Sequence, residues 1–295
     1  MPRRLLRRFV LAGFALASPV FAQAQIAQAP PTGQAAWKVP FEPVRIIGNL
    51  YYVGTYDLAV YLIATPQGNI LINSGLADSA PLIKASIERL GFKYGDTKLM
   101  LATHAHYDHA AALAQIKEET GAKFAANVWE VALFEDGGHS DYLHGPEGWF
   151  PPVKVDQVLH DGDKVGLGGV EITAHLHAGH TRGATSYSMN VVDGGRTYRV
   201  LIANLGSINP GTVLVHNTKY PAIADDYART FRDQEAPPCD IFLASHASQF
   251  ELHKKYQPGD AYKPERFVDP QGYQQAVAAL QNAFLAELAK QNAKK

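Results

Sequence analysis

From Val44 to Ala244 the chain alternates short apolar runs with stretches rich in Gly, Pro, Asn and Asp. "VRIIGNLYYVG" (44–54) and "LAVYLIATPQGNILIN" (58–73) read as strands, the second a pair joined through the turn residues Pro66 to Asn69. A helix is expected from about Ser79 to Leu90, and "KLMLAT" (98–103) reads as a buried strand. Helices follow near Ala110 to Glu119 and Val128 to Glu135, before a Gly- and Pro-rich loop from Asp136 to Pro152. The second half repeats the style with strands "VEITAHLH", "ATSYSMNVV", "YRVLIA" and "DIFLAS" and a helix near Ala222 to Gln234. Near the C-terminus, Tyr273, Val277, Leu280, Phe284 and Leu288 recur at three- or four-residue steps, the apolar stripe of a core-facing helix. Sheets covered by helices, an α/β sandwich of layers, are the expected architecture.

Ahead of this pattern stands "MPRRLLRRFVLAGFALASPVFAQAQ", in which four Arg precede an apolar segment from Phe9 to about Ala17 and then small residues. This is the layout of a secretory signal peptide, with cleavage suited after Ala22 or Ala24. The apolar segment is shorter than the ~20 residues that span a bilayer, which argues against an anchor. The expected division is a leader over 1–24, an Ala-, Gln- and Pro-rich linker over 25–36, and one domain over 37–295. The implied location is the periplasm, with no membrane association once the leader is removed. The formal charge is near zero, 27 Lys and Arg against 28 Asp and Glu, and no dense basic block tracks phosphates, so nucleic acid is an unsuited partner. The single Cys239 forbids an intramolecular disulfide and reads as a buried core thiol.

The chemistry concentrates in "LMLATHAHYDHAAAL" (99–113). His104 and His106 are two apart on an extended segment and project to one side, where two imidazoles can share an ion. Asp108 and His109 fall where the chain turns into a helix and face a neighbouring position, so the geometry suggests two metals. Imidazoles with one carboxylate suit zinc, and a catalytic zinc keeps an open position besides three protein ligands. Two such sites need two donors more. His180 in "LHAGHTRG" and His246 in "CDIFLASHAS" each follow an apolar strand and are the candidates. His139, His144, His160, His175, His177, His216 and His253 read as surface or packing residues.

"THAHYDH", "AGHTRG" and "LASH", in this order, resemble the metallo-β-lactamase superfamily over about Val44 to Phe250. The resemblance implies a single-domain αβ/βα four-layer sandwich with a dinuclear zinc site at one edge. Carried over residue by residue, His104, His106 and His180 would hold the first zinc, and Asp108, His109 and His246 the second. Lactonases and thioesterases of the family end a later strand in a metal-bridging Asp, whereas "VLIANLGSINPG" places Asn204 and Leu205 there. With no Cys ligand at that place and with His104 present, the chain is most similar to the third subclass of class B β-lactamases. That resemblance implies a monomeric enzyme opening penicillins, cephalosporins and carbapenems by attack of zinc-bound hydroxide, with Asp108 also orienting the nucleophile. Ser207 aligns with a serine that helps bind the substrate carboxylate, or serves the turn before Pro210. Trp149 and Phe150, in a stretch resembling the loop beside the family's active site, form an apolar wall or anchor that loop. Two departures stand out: Leu205 replaces a common serine, and Asn73 in "ILINSG" replaces an Asp that orients a metal-bound His. A lactonase or thioesterase of the same fold and a non-catalytic periplasmic zinc-binding protein are the alternatives.

Overall fold

The computed structural model describes residues 31–235 and 239–294, so the expected leader lies outside the described residues. Alternating apolar residues in the first half build one mixed sheet. Strands β1 (Val44–Ile47) and β2 (Leu50–Tyr52) form a hairpin that turns at Gly48. Gly48 has a φ of +52°, and a Cβ there would stand 2.6 Å from Val191, so only glycine fits and "VRIIGNLYY" breaks into two strands. A second hairpin joins β3 (Tyr61–Thr65) to β4 (Gly68–Ile72). Helix α1 (Ala80–Arg89) then leads to β5 (Thr97–Leu101), which lies parallel to β4. Next come α2 (Tyr107–Ala110), α3 (Leu113–Thr120), β6 (Lys123–Asn127), α4 (Val131–Glu135) and β7 (Gln157–Leu159), and the seven strands lie side by side in chain order. The second sheet has the order β12-β11-β10-β9-β8, built from β8 (Lys164–Leu167), β9 (Val170–Leu176), β10 (Thr185–Asp193), β11 (Arg196–Ala203) and β12 (Ile241–Ala244). Helix α5 (Ile223–Gln234) connects β11 to the parallel β12, and α6 (Leu252–Lys255) and α7 (Pro270–Asn292) complete the chain.

Period-two side-chain alternation explains the layers. Leu71, Met100 and Phe124 leave the first sheet on the side of Ile83, Ile87, Leu113, Ile116 and Phe134, burying the apolar faces of α1, α3 and α4. Their neighbours Ile70, Ile72, Leu99, Leu101 and Ala125 belong to the core shared with Ile172, Tyr187, Met189 and Ile202 of the second sheet. On the far side of that sheet Phe242 packs on Tyr273 of α7, and Phe231 of α5 on Phe284, at ring separations of 5.3 and 5.6 Å. The result is the helix–sheet–sheet–helix sandwich expected, with Cys239 buried in it.

Three differences from the sequence reading have local causes. Strands β6, β7 and β8 are short or rich in small residues, so their apolar period is weak. The helix expected from Ala110 begins at Tyr107, because the carbonyl of His106 already accepts from the amides of His109 and Ala110. The stretch read as linker to residue 36 is folded from Gly33 on, as a 3-10 helix over Gly33–Lys38 with Ala36 buried. Among the described residues no helix is long and apolar enough to cross a membrane.

Candidate metal centre

The donors named from the sequence meet at one edge of the sandwich, where strands end. His104 and His106 follow β5, and the extended backbone of His106 caps α2 so that Asp108 and His109 occupy its first turn. His180 sits in the turn after β9, and His246 lies two residues beyond the end of β12. The ring of His104 lies 4.8 Å from that of His106, 4.6 Å from His180 and 4.5 Å from His109, so it stands between the two groups.

In the first group the Nδ1 of His106 is 3.1 Å from the Nε2 of His180, with His104 completing the set. The second group is a triangle. Asp108 Oδ2 lies 3.3 Å from His109 Nε2 and 3.5 Å from His246 Nε2, and the two nitrogens are 3.2 Å apart. Donors about 2.0 Å from a tetrahedral ion stand about 3.3 Å from one another, so these edges are those of one face of a zinc-sized tetrahedron.

Outer partners decide which ring nitrogen carries the proton. His180 Nδ1 donates to the carbonyl of Ser207 at 2.8 Å, which can only accept, leaving Nε2 as a lone pair. His246 Nδ1 faces Asp57 Oδ2 at 3.1 Å, and His106 Nε2 faces Asp141 Oδ2 at 3.3 Å, so each ring turns its other nitrogen toward its donor group. In each group the ring nitrogens, joined in the second by the Asp108 carboxylate, converge at 3.1–3.5 Å, the spacing of donors around one small cation, so the residues present fit a metal ion. Imidazole nitrogen with a carboxylate suits zinc. These outer acceptors fix ring orientation, as such partners do around bound metals.

The charges of the metal-free chain follow from burial and neighbours. Burial and the imidazole of His106 hold His180 down at about 3, and burial together with neighbouring imidazoles keeps His104 well below the ordinary histidine range. Burial also opposes charge on His246, but the carboxylates of Asp108 and Asp57 outweigh it and push it up to about 9. Asp57 and Asp141 are held at about 2, burial being overcome by His246 and His106 respectively.

Above the donors opens a cavity of about 380 Å³. Gln34, Trp37 and Tyr107 line it near His246, and His144, Asn209 and Pro210 contribute elsewhere. Trp37 lies 5.7 Å from the His246 ring and 6.2 Å from Tyr107, and its indole N–H donates to Asp57 at 3.2 Å. Trp37, Asp57, Asp141 and His144 were not singled out as site residues in the sequence, where none belongs to a ligand motif; a tryptophan shortly before the first strand was the one available signal.

The structure places the other residues named from the sequence as follows. Phe150 is 5% exposed and packs against Phe134 in the core under the helices, so it walls no cavity. Trp149 is 45% exposed and stacks on His139 at 3.9 Å, away from the cavity lining. Asn73, at a φ of +66°, does not reach a metal-facing histidine: its Oδ1 accepts from the amide and hydroxyl of Thr103 at 2.8 and 3.1 Å. Ser207 lines the cavity, yet its carbonyl is engaged by His180 and, at 2.9 Å, by the Tyr227 hydroxyl. Asn204 and Leu205 are buried in the cavity wall and bring no carboxylate to it.

Comparison with known proteins agrees with this geometry. A family model described as the metallo-beta-lactamase superfamily matches residues 56–246. The structure of the FEZ-1 metallo-beta-lactamase of Legionella gormanii is 48% identical, with 86% of this chain and 98% of that chain covered and a TM-score of 0.84. The class B3 di-zinc metallo-beta-lactamase LRA-12 from an Alaskan soil metagenome is 46% identical, with 87% and 98% covered and a TM-score of 0.84. A curated relative, a probable metallo-hydrolase of Burkholderia pseudomallei, is 29% identical over 109 residues, only 36% of its length and 37% of this chain. The chain belongs to the metallo-beta-lactamase superfamily and is an enzyme of that superfamily. Within it, the chain is most like the class B β-lactamases of the third subclass.

Proposed function

We propose that this protein hydrolyses β-lactam rings with two zinc ions. The observation that carries the reading is the pair of donor groups lining one open cavity, with the His104 ring between them and no carboxylate at Asn204 or Leu205 to bridge them. The near-full-length likeness to structures titled metallo-beta-lactamase, one of them di-zinc, supports it. His104, His106 and His180 would hold the first ion, and Asp108, His109 and His246 the second. Bound there, zinc supplies a water with a pKa lowered to roughly 7 and a Lewis acid for the lactam carbonyl.

The remaining work falls to the chain. Asp108 keeps a carboxylate on the cavity floor, where, besides serving as a ligand, it would orient the attacking hydroxide. Asp57 beside His246 and Asp141 beside His106 would orient the two rings so that the other nitrogen of each faces inward. Trp37 and Tyr107 cover the His246 end, exclude water and offer aromatic surface to the substrate. Ser207, with Asn209 beside it, presents polar groups to the carboxylate next to the lactam, while the Ser207 carbonyl orients His180. No protein nucleophile is required. The leader over 1–24 belongs to the same reading, with the folded domain beginning by Gly33 and not at 37, and that reading makes a monomeric enzyme of the periplasm.

The test is hydrolysis of a penicillin, a cephalosporin, a carbapenem, a lactone and a thioester, each with and without a chelator. β-Lactam turnover that the chelator abolishes, zinc restores and serine-acylating inhibitors leave untouched is the expected result. A folded, zinc-loaded preparation that cleaves the lactone or thioester and no β-lactam would overturn the reading.

A further inference from the structure

We infer that Glu130 is a positioning residue of the metal centre, a buried carboxylate clamp that joins the loop bearing His104 and His106 to the turn bearing His180. The inference rests on the zinc reading above. Glu130 stands between β6 and α4, far in sequence from both loops, and is 1% exposed. Its Oε2 accepts the amide of Ala105 at 2.7 Å, and its Oε1 accepts the amide of Gly183 at 2.8 Å. Both oxygens therefore act as acceptors from backbone N–H donors, one from each loop. Among the described residues no Lys or Arg pairs with it.

The two amides are placed where they control the donors. Ala105 lies between His104 and His106, so pinning its N–H fixes the His104–Ala105 peptide plane, which bears His104 at one end and leads directly into His106. Gly183 lies three residues beyond His180 and closes the turn that presents it. A Cβ on Gly183 would meet the Glu130 Cγ at 2.5 Å and the Glu130 amide nitrogen at 2.8 Å, so the turn and the carboxylate interlock only through glycine. Metal donors must be held within about 0.2 Å of their places, and one carboxylate spanning both loops fixes the separation between them. Burial raises the Glu130 carboxyl above its ordinary range, against the pull of its hydrogen bonds, those from Gly183 and Ala105 among them. A dication held by His104, His106 and His180 would favour its charged form.

Two variants separate reach from charge. E130Q keeps the length but has one acceptor oxygen, so its NH₂ confronts one of the two amides. E130D keeps the charge but falls a methylene short of spanning both loops. First-site zinc affinity is measured in the H246A background and second-site affinity in the H180A background, by competition with a chromophoric chelator. Both Glu130 variants are expected to weaken the first site about 10- to 100-fold while leaving the second within about twofold. In metal-free protein the Ala105 and Gly183 amides should exchange at least about tenfold faster, with β5 and β10 as protected as in the parent. E130D carries the same measurements if E130Q does not fold. Unchanged first-site affinity, equal loss at both sites, or faster exchange spread evenly over β5 and β10 would overturn the inference. Lack of any zinc binding by the parent would count against the zinc reading alone, and the exchange data, collected without metal, would still decide the clamp.

Discussion

Asp57→Ala should empty the second metal site while sparing the first. Asp57 Oδ2 faces His246 Nδ1 at 3.1 Å and takes the Trp37 indole N–H at 3.2 Å, and Oδ1 accepts the Ser248 amide at 2.9 Å. One carboxylate therefore gathers the N-terminal arm, the loop after β2 and the end of β12 onto one ring. Removing the outer partner of a metal-bound imidazole costs about 10- to 100-fold in affinity, or about 1.4–2.7 kcal/mol. The upper part of that range is expected, because the His246 side chain is only 19% exposed and Trp37 covers it, leaving little water to replace the carboxylate. Asp57→Asn should lose less, since an amide oxygen can still accept one of the three donors. The assay is zinc titration against a chromophoric chelator together with direct metal analysis of dialysed protein. An Asp57→Ala protein that keeps two zinc ions at parental affinity, or that loses both to the same degree, would refute the reasoning.

His246→Ala should bind about one zinc fewer than the parent under zinc-replete conditions, as read by metal analysis; an unchanged count would remove His246 from the ligand set. Trp37→Ala should raise the KM for β-lactams several-fold, whereas Trp149→Ala should leave it unchanged, because only Trp37 lines the cavity. Steady-state kinetics on one penicillin and one carbapenem checks the pair. Phe124→Ala should cost about 3–5 kcal/mol in urea unfolding. That ring is fully buried, 4.8 Å edge-on from Phe134 in the core beneath the helices, and its loss should leave zinc stoichiometry intact.

The sequence by itself was informative where chemistry restricts the choice of residue. Few side chains donate to zinc, so His104, His106, Asp108, His109, His180 and His246 could be named by type, spacing and position after apolar strands, and they lie together in the structure. Long strands and the stripe from Tyr273 to Leu288 were legible because burial on one face imposes a period; β6 to β8 were not, being too short or too rich in small residues to show one. An apolar residue near a motif carries no label for what it packs against, which is why Phe150 belongs to the core and Trp37, far ahead of the motif, lines the site. The outer partners were decided by tertiary structure alone. A ring nitrogen can be held by any acceptor, whether the carboxylate of Asp57 or Asp141 or the backbone carbonyl of Ser207, and a carbonyl is present at every position. Which acceptor arrives there depends on how two sheets stack and where their loops meet, and that juxtaposition is set by packing across the whole sandwich.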